Sequence, residues 1–557
     1  MELLQNAIRG TVKDLFGVDI PVMLTVPDEQ FGDAATNIAL QLSKVLGMPP
    51  REIAEKLQPK ITALPTVESC SIAGPGFINL RICDEFLLAL TNAKPKQTWS
   101  SKVVVCEYSD PNPFKVLHAG HLYTTLVGDV IGNLYETAGA DVKRVNFGGD
   151  VGLHVARAMW AIMRDIGEQD AAIFLASVDE GFRPNWISER YVEGNTAYEQ
   201  DEVAKTEIIA INKKVYELHT NGDVTSAFAV AYWTCRQWSY DGFEMLYERL
   251  GVNKFDKYYP ESTTAGAGLE AAREALASGV LAESDGAVVF RGEDVGLHTR
   301  VFINSEGLPT YESKDLGLAL AKWQDYHFDQ SVMITGNDIV EYMKVVQAVV
   351  RTFAPEITER TKHLTHGMIK LAGGRKMSSR KGNVLLAQEV IDVAKEANIA
   401  ATGKDDNAVI LGAVKYAFLK NRIGGDVIYD PTESVSIVGN SGPYLQYAHA
   451  RACAILRKAD GNKEIEMSKI VLEAGERSLL RKLSHYVAVV DQAIEELAPH
   501  IICTYLYELA QVFNSFYEHN RVIDDPRQVV RLELVRLYQH TLANGLNTLG
   551  IVAPEQM

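Results

Sequence analysis

The sequence predicts an α/β fold whose central domain is doubly wound (Rossmann-like), with a parallel sheet and smaller domains at both ends of the chain. A short apolar run at Val103–Cys106 has the character of a buried strand, and a second strand pattern covers Val142–Phe147. The helical stretch from His118 to Ala138 connects them, so the three elements form a βαβ unit. Further strand patterns at 287–291, 301–303 and 331–335 predict a larger sheet.

The two ends of the chain have different patterns. Residues 1–92 are predicted as an α+β domain, with an amphipathic first helix, a second helix at Ala35–Leu46 and a strand at Phe77–Ile82. The polar residues 92–101 are predicted as a linker. From residue 436 to 557 the pattern is helical throughout, and helices are predicted at 444–456, 476–497 and 529–549.

The central part of the chain is divided by its composition. The predicted α/β domain covers residues 100–355 and includes a charged, mostly helical insertion at about 165–285, placed between two halves of the sheet. Residues 356–435 are predicted as a region that carries a basic loop and joins the two larger domains.

The bulk composition excludes several classes of protein. The chain has 557 residues, and its net charge of −17 argues against a non-specific nucleic-acid or membrane coat, although a basic face remains possible on an acidic protein. Six scattered cysteines predict neither a disulfide framework nor a zinc knuckle, and we expect no metal site built by the protein. Without a signal peptide or an apolar run of roughly 18 residues, a cytoplasmic protein that does not bind membranes is expected.

Two histidines three positions apart, His118 and His121, stand at the start of the first long helix after a predicted strand. Their side chains share one helix face, and doubly wound folds bind ligands at this turn. The helix N-terminus favours phosphate, and Gly120 leaves room for a base or ribose. We interpret the turn as an ATP site; local capping of the helix by the histidines is the alternative.

A glycine-flanked basic segment, Gly373–Asn383, contains four cations within seven residues. Cations placed on a triphosphate stabilise the charge that develops in nucleotidyl transfer. The candidates are Lys376, Ser378 and Lys381, and Lys115 adds charge just before the histidines. An ordinary solvated basic loop is the alternative. The two motifs in this order indicate nucleotidyl transfer from ATP.

The turn Gly336–Asp338 follows the strand pattern at 331–335. A carboxylate at the carboxyl end of a parallel strand commonly holds a ribose hydroxyl, which makes Asp338 a candidate together with Gly336. Ordinary turn chemistry is the alternative.

With these residues in view, the chain resembles the class I aminoacyl-tRNA synthetases and, within them, the arginyl-tRNA synthetases. The resemblance covers the N-terminal, central and C-terminal regions in order, but not the insertion. The sequence departs from the family at Asp110, where a small or hydroxyl residue is most frequent, and at Ser379, where lysine is frequent. The matching segments are Phe31–Asp33 with Thr36 and Asn37, Ile72–Asn79, Glu107–Lys115, Tyr311–Gly317 and Gly442–Arg451.

The resemblance implies a ligase of protein synthesis that attaches L-arginine to tRNA(Arg) through an arginyl-adenylate, with Mg²⁺ carried on the ATP phosphates. It implies catalytic roles for His118, His121, Lys376 and Lys115. It places the adenine near Gly120 and the segment His366-Gly367-Met368, and the ribose near Asp338.

Arginine carries a planar guanidinium with five donors, which pairs best with carboxylates and in-plane acceptors. Tyr311 and Asp315 are four residues apart and share one helix face, so Asp315 is the predicted guanidinium partner and Tyr311 the wall of the slot. Either Glu107 or Asp110, with Asn112 and His118, is predicted to hold the α-ammonium and carboxylate; the choice between the two acids stays open.

By resemblance, the C-terminal helices read the anticodon with Tyr444, Arg451, Tyr517 and the terminal Met557. Loop bases are bound by stacking on aromatic rings, whereas core packing is the alternative for both tyrosines. A monomer is expected. Two rival functions remain: a nucleotidylyltransferase, and a non-catalytic, synthetase-like tRNA-binding protein.

Overall fold

The computed structural model describes residues 1–372, 385–459 and 471–557. In the N-terminal region three helices and a fourth at its end surround a small antiparallel sheet with the strand order β1-β3-β2. The elements are α1 (Glu2–Phe16), β1 (Ala34–Thr36), α2 (Ile38–Leu46), α3 (Pro50–Thr62), β2 (Val67–Ala73), β3 (Phe77–Ile82) and α4 (Asp84–Thr91).

The second helix begins later than the sequence predicts. Ala35 lies in the buried strand β1, opposite Asn79 of β3, and α2 begins at Ile38. A buried strand of three residues is too short to show an alternating pattern. Its apolar residues were therefore assigned to the helix that follows.

The central region is built on a five-stranded sheet with the order β11-β10-β4-β5-β6, in which every neighbouring pair is parallel. This confirms the doubly wound fold and its first βαβ unit. Its elements are β4 (Val103–Glu107), α5 (Ala119–Thr137), β5 (Asp141–Gly148), α6 (Leu153–Ile166), β6 (Lys257–Pro260), α11 (Glu261–Ala277), α12 (Tyr311–Tyr326), β10 (Gln330–Gly336), α13 (Val340–Phe353), α14 (Pro355–Glu359) and β11 (Thr361–His366).

The insertion is shorter than the predicted 165–285, because β6 and α11 belong to the main fold. The strand patterns at 287–291 and 301–303 also lie elsewhere than predicted, in a separate antiparallel sheet β7-β8-β9. Strand pattern alone does not say which sheet a strand joins. The remaining elements here are α7 (Ala171–Ala176), α8 (Arg183–Gln200), α9 (Glu202–Asn221), α10 (Ala227–Leu250), β7 (Ala282–Ser284), β8 (Ala287–Phe290) and β9 (Arg300–Ile303).

The C-terminal region is helical over its described part, as predicted. The predicted helix 476–497 is wrong as a single element: it divides at His485, where no proline or glycine marks the break. The elements from residue 369 onward are β12 (Ile369–Leu371), α15 (Ala387–Thr402), α16 (Asn407–Leu419), β13 (Val427–Tyr429), α17 (Pro431–Ser434), α18 (Gly442–Lys458), α19 (Ala474–Ser484), α20 (Tyr486–Glu496), α21 (Pro499–His519) and α22 (Gln528–Thr548).

The topology locates one crevice in the main sheet. The chain reverses its winding between β4 and β10, and doubly wound sheets bind ligands outside the carboxyl ends of strands at such a point. In the part of the chain that the structure describes, no helix combines the length and apolar character needed to cross a bilayer.

Candidate active site

The predicted histidine motif lies at this crevice, where the chain passes from β4 into α5. His118 is the N-cap residue of α5 and forms a capping box with His121. The backbone N–H of His121 donates to Nδ1 of His118 at 3.3 Å, and the N–H of His118 donates to Nδ1 of His121 at 3.2 Å. The two rings stack with their centroids 3.7 Å apart. The alternative interpretation, in which the histidines cap the helix, therefore agrees with the observed hydrogen bonds.

Capping also sets what the two rings offer a ligand. Since each Nδ1 accepts a backbone N–H, a neutral ring must carry its proton on Nε2. Burial and then the charge of Lys115 lower the pKa of His118. Burial, followed by the neighbouring His118 and Lys115, holds the pKa of His121 well below its usual value. Both rings are thus neutral at pH 7, with Nε2–H as the remaining donor.

Gly120 is required by the histidines themselves. A Cβ at this position would lie 2.9 Å from Cε1 and Nδ1 of the His118 ring, so a side chain there would push the ring out of its stack. The contact with the His118 ring therefore requires glycine here even when no ligand is bound. Room for a base or ribose, the predicted reason, is a further possible use of the same space.

The segment after the basic loop is tied to the histidine turn. The N–H of Ala119 donates to the carbonyl of Leu385 at 2.7 Å, and the N–H of Ala387 donates to the carbonyl of Leu117 at 3.0 Å. The described end of this segment therefore lies beside His118. The predicted residues Lys376, Ser378 and Lys381 lie outside the described residues.

The predicted adenine segment packs against α5. His366 is buried, with Nε2 3.2 Å from Oγ1 of Thr124 and Nδ1 2.7 Å from the carbonyl of Gly367. Gly367 packs so closely on Asp426 that a Cβ would lie 2.5 Å from its backbone nitrogen. Met368 is exposed.

The predicted ribose residue follows β10. Asp338 is exposed in the short 3₁₀ helix Asn337–Ile339, and its carboxylate folds back toward Gly336, where a Cβ would lie 2.4 Å from Oδ1. Its charge raises the pKa of both His118 and His366 against the lowering effect of their burial. Asp338 is therefore close enough to both rings for its charge to act on them.

Lys115 is held by the insertion. Its Nζ lies 4.8 Å from the centroid of the Tyr191 ring on α8, a cation–π contact that keeps the cation beside the histidine turn.

The predicted arginine residues converge at the ends of β4 and α12. Glu107, 4% exposed, forms an ion pair with Lys322, 2% exposed. Asp110 is half-buried, and Asn112 accepts the N–H of Gly149 at 2.9 Å. Sequence reasoning missed Lys322, although it lies seven residues after Asp315, two turns along the same face of α12.

Asp315 lies deeper than Tyr311, whose side chain is 57% exposed. The hydroxyl of Tyr342 donates a hydrogen bond to Oδ2 of Asp315. Burial, followed by the charge of Glu107, raises the pKa of Asp315 well above its usual value. Nothing in the sequence pattern pointed to Tyr342, which comes from α13.

A buried ion pair forms the floor beneath Tyr311. Lys314 binds Glu261 with an Nζ–Oε2 distance of 2.6 Å, and its Nζ lies 5.0 Å from the Tyr311 ring centroid. Both residues were missed, although Lys314 lies inside the predicted Tyr-Glu-Ser-Lys-Asp segment.

Three of the four predicted anticodon residues come together between α18 and α21. The guanidinium of Arg451 lies 4.5 Å from the Tyr517 ring centroid. Asn514, which the sequence did not indicate, donates to the hydroxyl of Tyr444 at 2.8 Å and accepts from Arg451 at 3.4 Å. Met557 is 39% exposed at the end of a tail that accepts a hydrogen bond from Arg457 through the carbonyl of Glu555.

Three family models match this chain in order. Residues 2–82 match the arginyl tRNA synthetase N terminal domain. Residues 85–430 match the class I (R) tRNA synthetase catalytic domain, and residues 445–557 match the DALR anticodon binding domain. Together they cover the three structural regions described above.

Relatives over the full length agree with these matches. The chain is 28% identical to an arginine–tRNA ligase of Porphyromonas gingivalis and 29% identical to one of Cutibacterium acnes, with 100% of each chain covered. The structure of Thermus thermophilus arginyl-tRNA synthetase superimposes with a TM-score of 0.79 at 25% identity, covering 100% of both chains. That of the Plasmodium falciparum enzyme reaches 0.78 at 18% identity, with 100% and 99% covered, and supports the fold alone.

Proposed function

The chain belongs to the class I arginyl-tRNA synthetases, and from this premise we propose how its residues attach arginine to tRNA at the expense of ATP. The observation that carries the proposal is the stacked pair His118 and His121 at the switch point between β4 and β10. The full-length match and the anticodon-domain match leave the nucleotidylyltransferase hypothesis without support.

In the first step, a carboxylate oxygen of arginine attacks the α-phosphorus of ATP and pyrophosphate leaves. Negative charge grows on the non-bridging oxygens, and donors placed there lower the barrier. The Nε2–H groups of His118 and His121 are such donors, and Lys115 adds a full charge. Lys376, Ser378 and Lys381 remain predicted partners of the phosphates.

Nucleoside binding uses residues close to the histidine turn. We assign the ribose hydroxyls to Asp338 beside Gly336, and the adenine to the segment from His366 through Gly367 to Met368, next to Gly120. Mg²⁺ carried on the ATP phosphates would neutralise part of their charge, and we assign it no ligand from the protein.

Arginine recognition is assigned to the end of α12 and the turn after β4. Asp315 binds the guanidinium because it is a sheltered carboxylate, and the exposed ring of Tyr311 covers the slot. We assign the carboxylate end of the amino acid, which reacts with ATP, to Asn112 and His118. Positioning supplies most of the rate, and no protein nucleophile is required.

In the second step, the 2′- or 3′-hydroxyl of the terminal adenosine attacks the adenylate carbonyl and AMP leaves. Recognition of tRNA(Arg) falls to the C-terminal helices, where Tyr444, Arg451 and Tyr517 present two ring faces and a cation to loop bases. Met557 is assigned to the same site. A monomeric state and a cytoplasmic location stay predictions.

The test is amino-acid-dependent exchange of pyrophosphate into ATP, measured for each of the twenty amino acids with and without tRNA. Exchange with arginine is expected, and exchange with a different amino acid would contradict the arginine site. Absence of exchange under every condition, with tRNA binding intact, would favour the non-catalytic hypothesis.

A further inference from the structure

A cavity lies next to the histidine turn, between the insertion and the segment that follows the basic loop. Its volume is about 280 Å³, close to the lower end of the range of roughly 300–1,000 Å³ that is usual for small-molecule sites. Helices α8 and α10 line it from the insertion, and residues 115–117 and 386–388 complete its walls. Among the described residues of the proposed catalytic site, only Lys115 borders it. The cavity is therefore separate from the space assigned to arginine and ATP.

Most of the cavity wall is apolar. Ile187 of α8 and Phe243 and Leu246 of α10 line it, together with Val116 and Leu117 from the turn before α5. Water finds few hydrogen-bond partners against such side chains. An apolar group that displaces this water is stabilised by the hydrophobic effect. The shape and lining of the cavity therefore favour a ligand with an apolar body.

The charged residues of the wall are both cations. Lys115 and Arg249 line the cavity, and no aspartate or glutamate is among its described lining residues. Arg249 is partly exposed and forms no ion pair within the described part of the chain. Lys115 contacts the ring of Tyr191 and likewise has no carboxylate partner there. In a chain with a net charge of −17, this cavity is a local positive site.

These features define the chemistry of a complementary ligand. An apolar wall with two uncompensated cations fits a molecule that combines an apolar body with one negative charge. The planar guanidinium of Arg249 matches a carboxylate in particular, because its N–H donors can bind both oxygens. A phosphate carries more charge and would lose more hydration against apolar walls. The volume limits the body to one or two rings or a short alkyl chain.

We propose that this cavity binds a small apolar carboxylate and that the bound molecule inhibits adenylate formation by pairing with Lys115. The binding stands on the cavity alone, whereas the inhibition rests on the proposed function, in which Lys115 adds charge at the ATP phosphates. A carboxylate paired with Lys115 cancels that charge, so less stabilisation is left for the negative charge that develops in the first step.

The position of Lys115 supports the link between the two sites. Burial is the main cause of the lowered pKa of His118, and the charge of Lys115 is the next. For His121, burial and the neighbouring His118 come first, and the charge of Lys115 adds to them. The Lys115 ammonium is therefore close enough to act on both rings while it also borders the cavity.

The backbone gives a second connection. The N–H of Ala387, in the cavity wall, donates to the carbonyl of Leu117 at 3.0 Å. On the side of the insertion, Oγ of Ser239 accepts the N–H of Phe114 at 3.0 Å. A ligand in the cavity thus contacts residues that are bonded to the chain immediately before His118.

The binding experiment uses calorimetry on the full chain with 2-naphthoate and with octanoate, which distinguish an aromatic from an alkyl body. Saturating arginine and AMP are present, so that the catalytic site is filled. A dissociation constant below about 1 mM is expected for at least one carboxylate, as an ordinary ligand efficiency gives for a molecule of this size. The neutral amide of the better ligand should bind at least about 10-fold more weakly, because it pairs with neither cation.

Three variants locate the bound molecule. Arg249→Gln should weaken the better carboxylate by about 3- to 10-fold. Leu246→Trp fills the cavity and should remove measurable binding. Arg273→Gln is the matched control, since Arg273 is exposed on α11 and does not line the cavity. Thermal melting identifies variants that fail to fold; if Leu246→Trp fails, Arg249→Gln and the neutral amide decide.

Exchange of pyrophosphate into ATP tests the inhibition. The carboxylate should lower the maximum rate without raising the KM for arginine. Arg249→Gln should keep the uninhibited rate and need about 3- to 10-fold more carboxylate for half-inhibition. Binding without inhibition of an active enzyme would overturn the inhibitory role.

Other results would overturn the site itself. These are the absence of binding by both carboxylates, equal binding of the acid and its amide, an unchanged affinity in Arg249→Gln, or loss of binding when arginine and AMP fill the catalytic site. A protein that binds the carboxylate but shows no exchange with arginine under any condition contradicts the proposed function and not this cavity.

Discussion

Tyr342 donates its hydroxyl hydrogen to Oδ2 of Asp315, joining α13 to the face of α12 that carries the proposed guanidinium ligand. A donor on a carboxylate favours its ionised form and fixes its rotamer. We assign the guanidinium contact to the other oxygen, Oδ1. Tyr342 thereby prepares Asp315 for a single, directed contact.

Replacing Tyr342 by phenylalanine tests whether its hydrogen bond to Asp315 contributes to arginine binding. We expect the KM for arginine to rise about 3- to 10-fold, the range of a hydrogen bond to a charged group, with little change in kcat or in the KM for ATP. Steady-state aminoacylation measures all three. Tyr311→Phe is the matched control because it keeps the ring, and it should change the KM for arginine less than about 2-fold. An equal loss in both variants would contradict a specific role for Tyr342.

The affinity for arginine should depend on pH through Asp110 and Asp315. The pKa of each aspartate is raised, mainly by burial and then by the charge of Glu107. The charge of Lys322 opposes this rise for both aspartates. For Asp315, the charges of Glu261 and Glu312 raise the pKa further. Only the ionised carboxylates attract a cation. Arginine binding should therefore weaken as the pH falls through the raised values, at a pH where an ordinary aspartate is still ionised.

Calorimetric titrations across pH 5–9 measure this dependence. The variants Asp110→Asn and Asp315→Asn should each show a shallower rise of the dissociation constant at low pH. A pH dependence that is unchanged in both would place its origin elsewhere.

Gly120→Ala should lower the activity without lowering the thermal stability. The added Cβ meets the His118 ring at 2.9 Å and displaces it from the stack, so kcat should fall by at least about 10-fold. Alanine is the better helix former by about 1 kcal/mol, so the melting temperature should stay close to that of the wild type. Gly10→Ala in α1 is the control, since nothing lies within 4 Å of its added Cβ. Full activity in Gly120→Ala would show that the stacked histidines are not needed.

Asp33 joins the N-terminal region to the C-terminal helices. It is 1% exposed and accepts hydrogen bonds from both Nη atoms of Arg477, while Arg481 lies 3.3 Å away. Breaking a buried pair of this kind costs about 3 kcal/mol. Asp33→Asn should therefore loosen the docking and speed trypsin cleavage after Lys96 and Lys102, whose side chains are already exposed. Asp28→Asn, exposed on the same loop, should leave the cleavage rate unchanged.

The same contact predicts a response to acid. Burial alone would raise the pKa of Asp33, but the Arg477 and Ile82 hydrogen bonds bring it below its usual value. A carboxylate with a lowered folded-state pKa stabilises the docked state above about pH 4, and this contribution disappears as the pH falls further. Trypsin is inactive there, so pepsin cleavage should detect the change. Equal cleavage of wild type and Asp33→Asn at pH 7 would contradict both predictions.

Arg451→Gln tests the anticodon cluster. The variant loses the cation over Tyr517 and the contact to Asn514, so the KM for tRNA should rise about 10-fold. The dissociation constant for arginine should not change, because the cluster lies in the C-terminal domain. Aminoacylation at varied tRNA concentration gives the first quantity and calorimetry the second. A shift in arginine affinity of the same size would indicate general unfolding.

Much of the fold follows from local pattern. Val103–Cys106 and Val142–Phe147 are short apolar runs, the long helix between them begins at a capped residue, and Tyr311 and Asp315 lie four apart on one helix. Such features depend on residues within a few turns of each other. Errors arose where the pattern was too short, as at Ala35, or where a helix divided without a breaker, as at His485.

By itself, the sequence determined the order of the domains and the place of the histidine turn, and it predicted which acids bind arginine. Only the tertiary structure decided which strands share the main sheet, and which carboxylates are already paired. Lys322 is 215 residues from Glu107, and Tyr342 reaches Asp315 from another helix. Ion pairs between distant segments depend on how helices and strands are brought together, and no local periodicity records that.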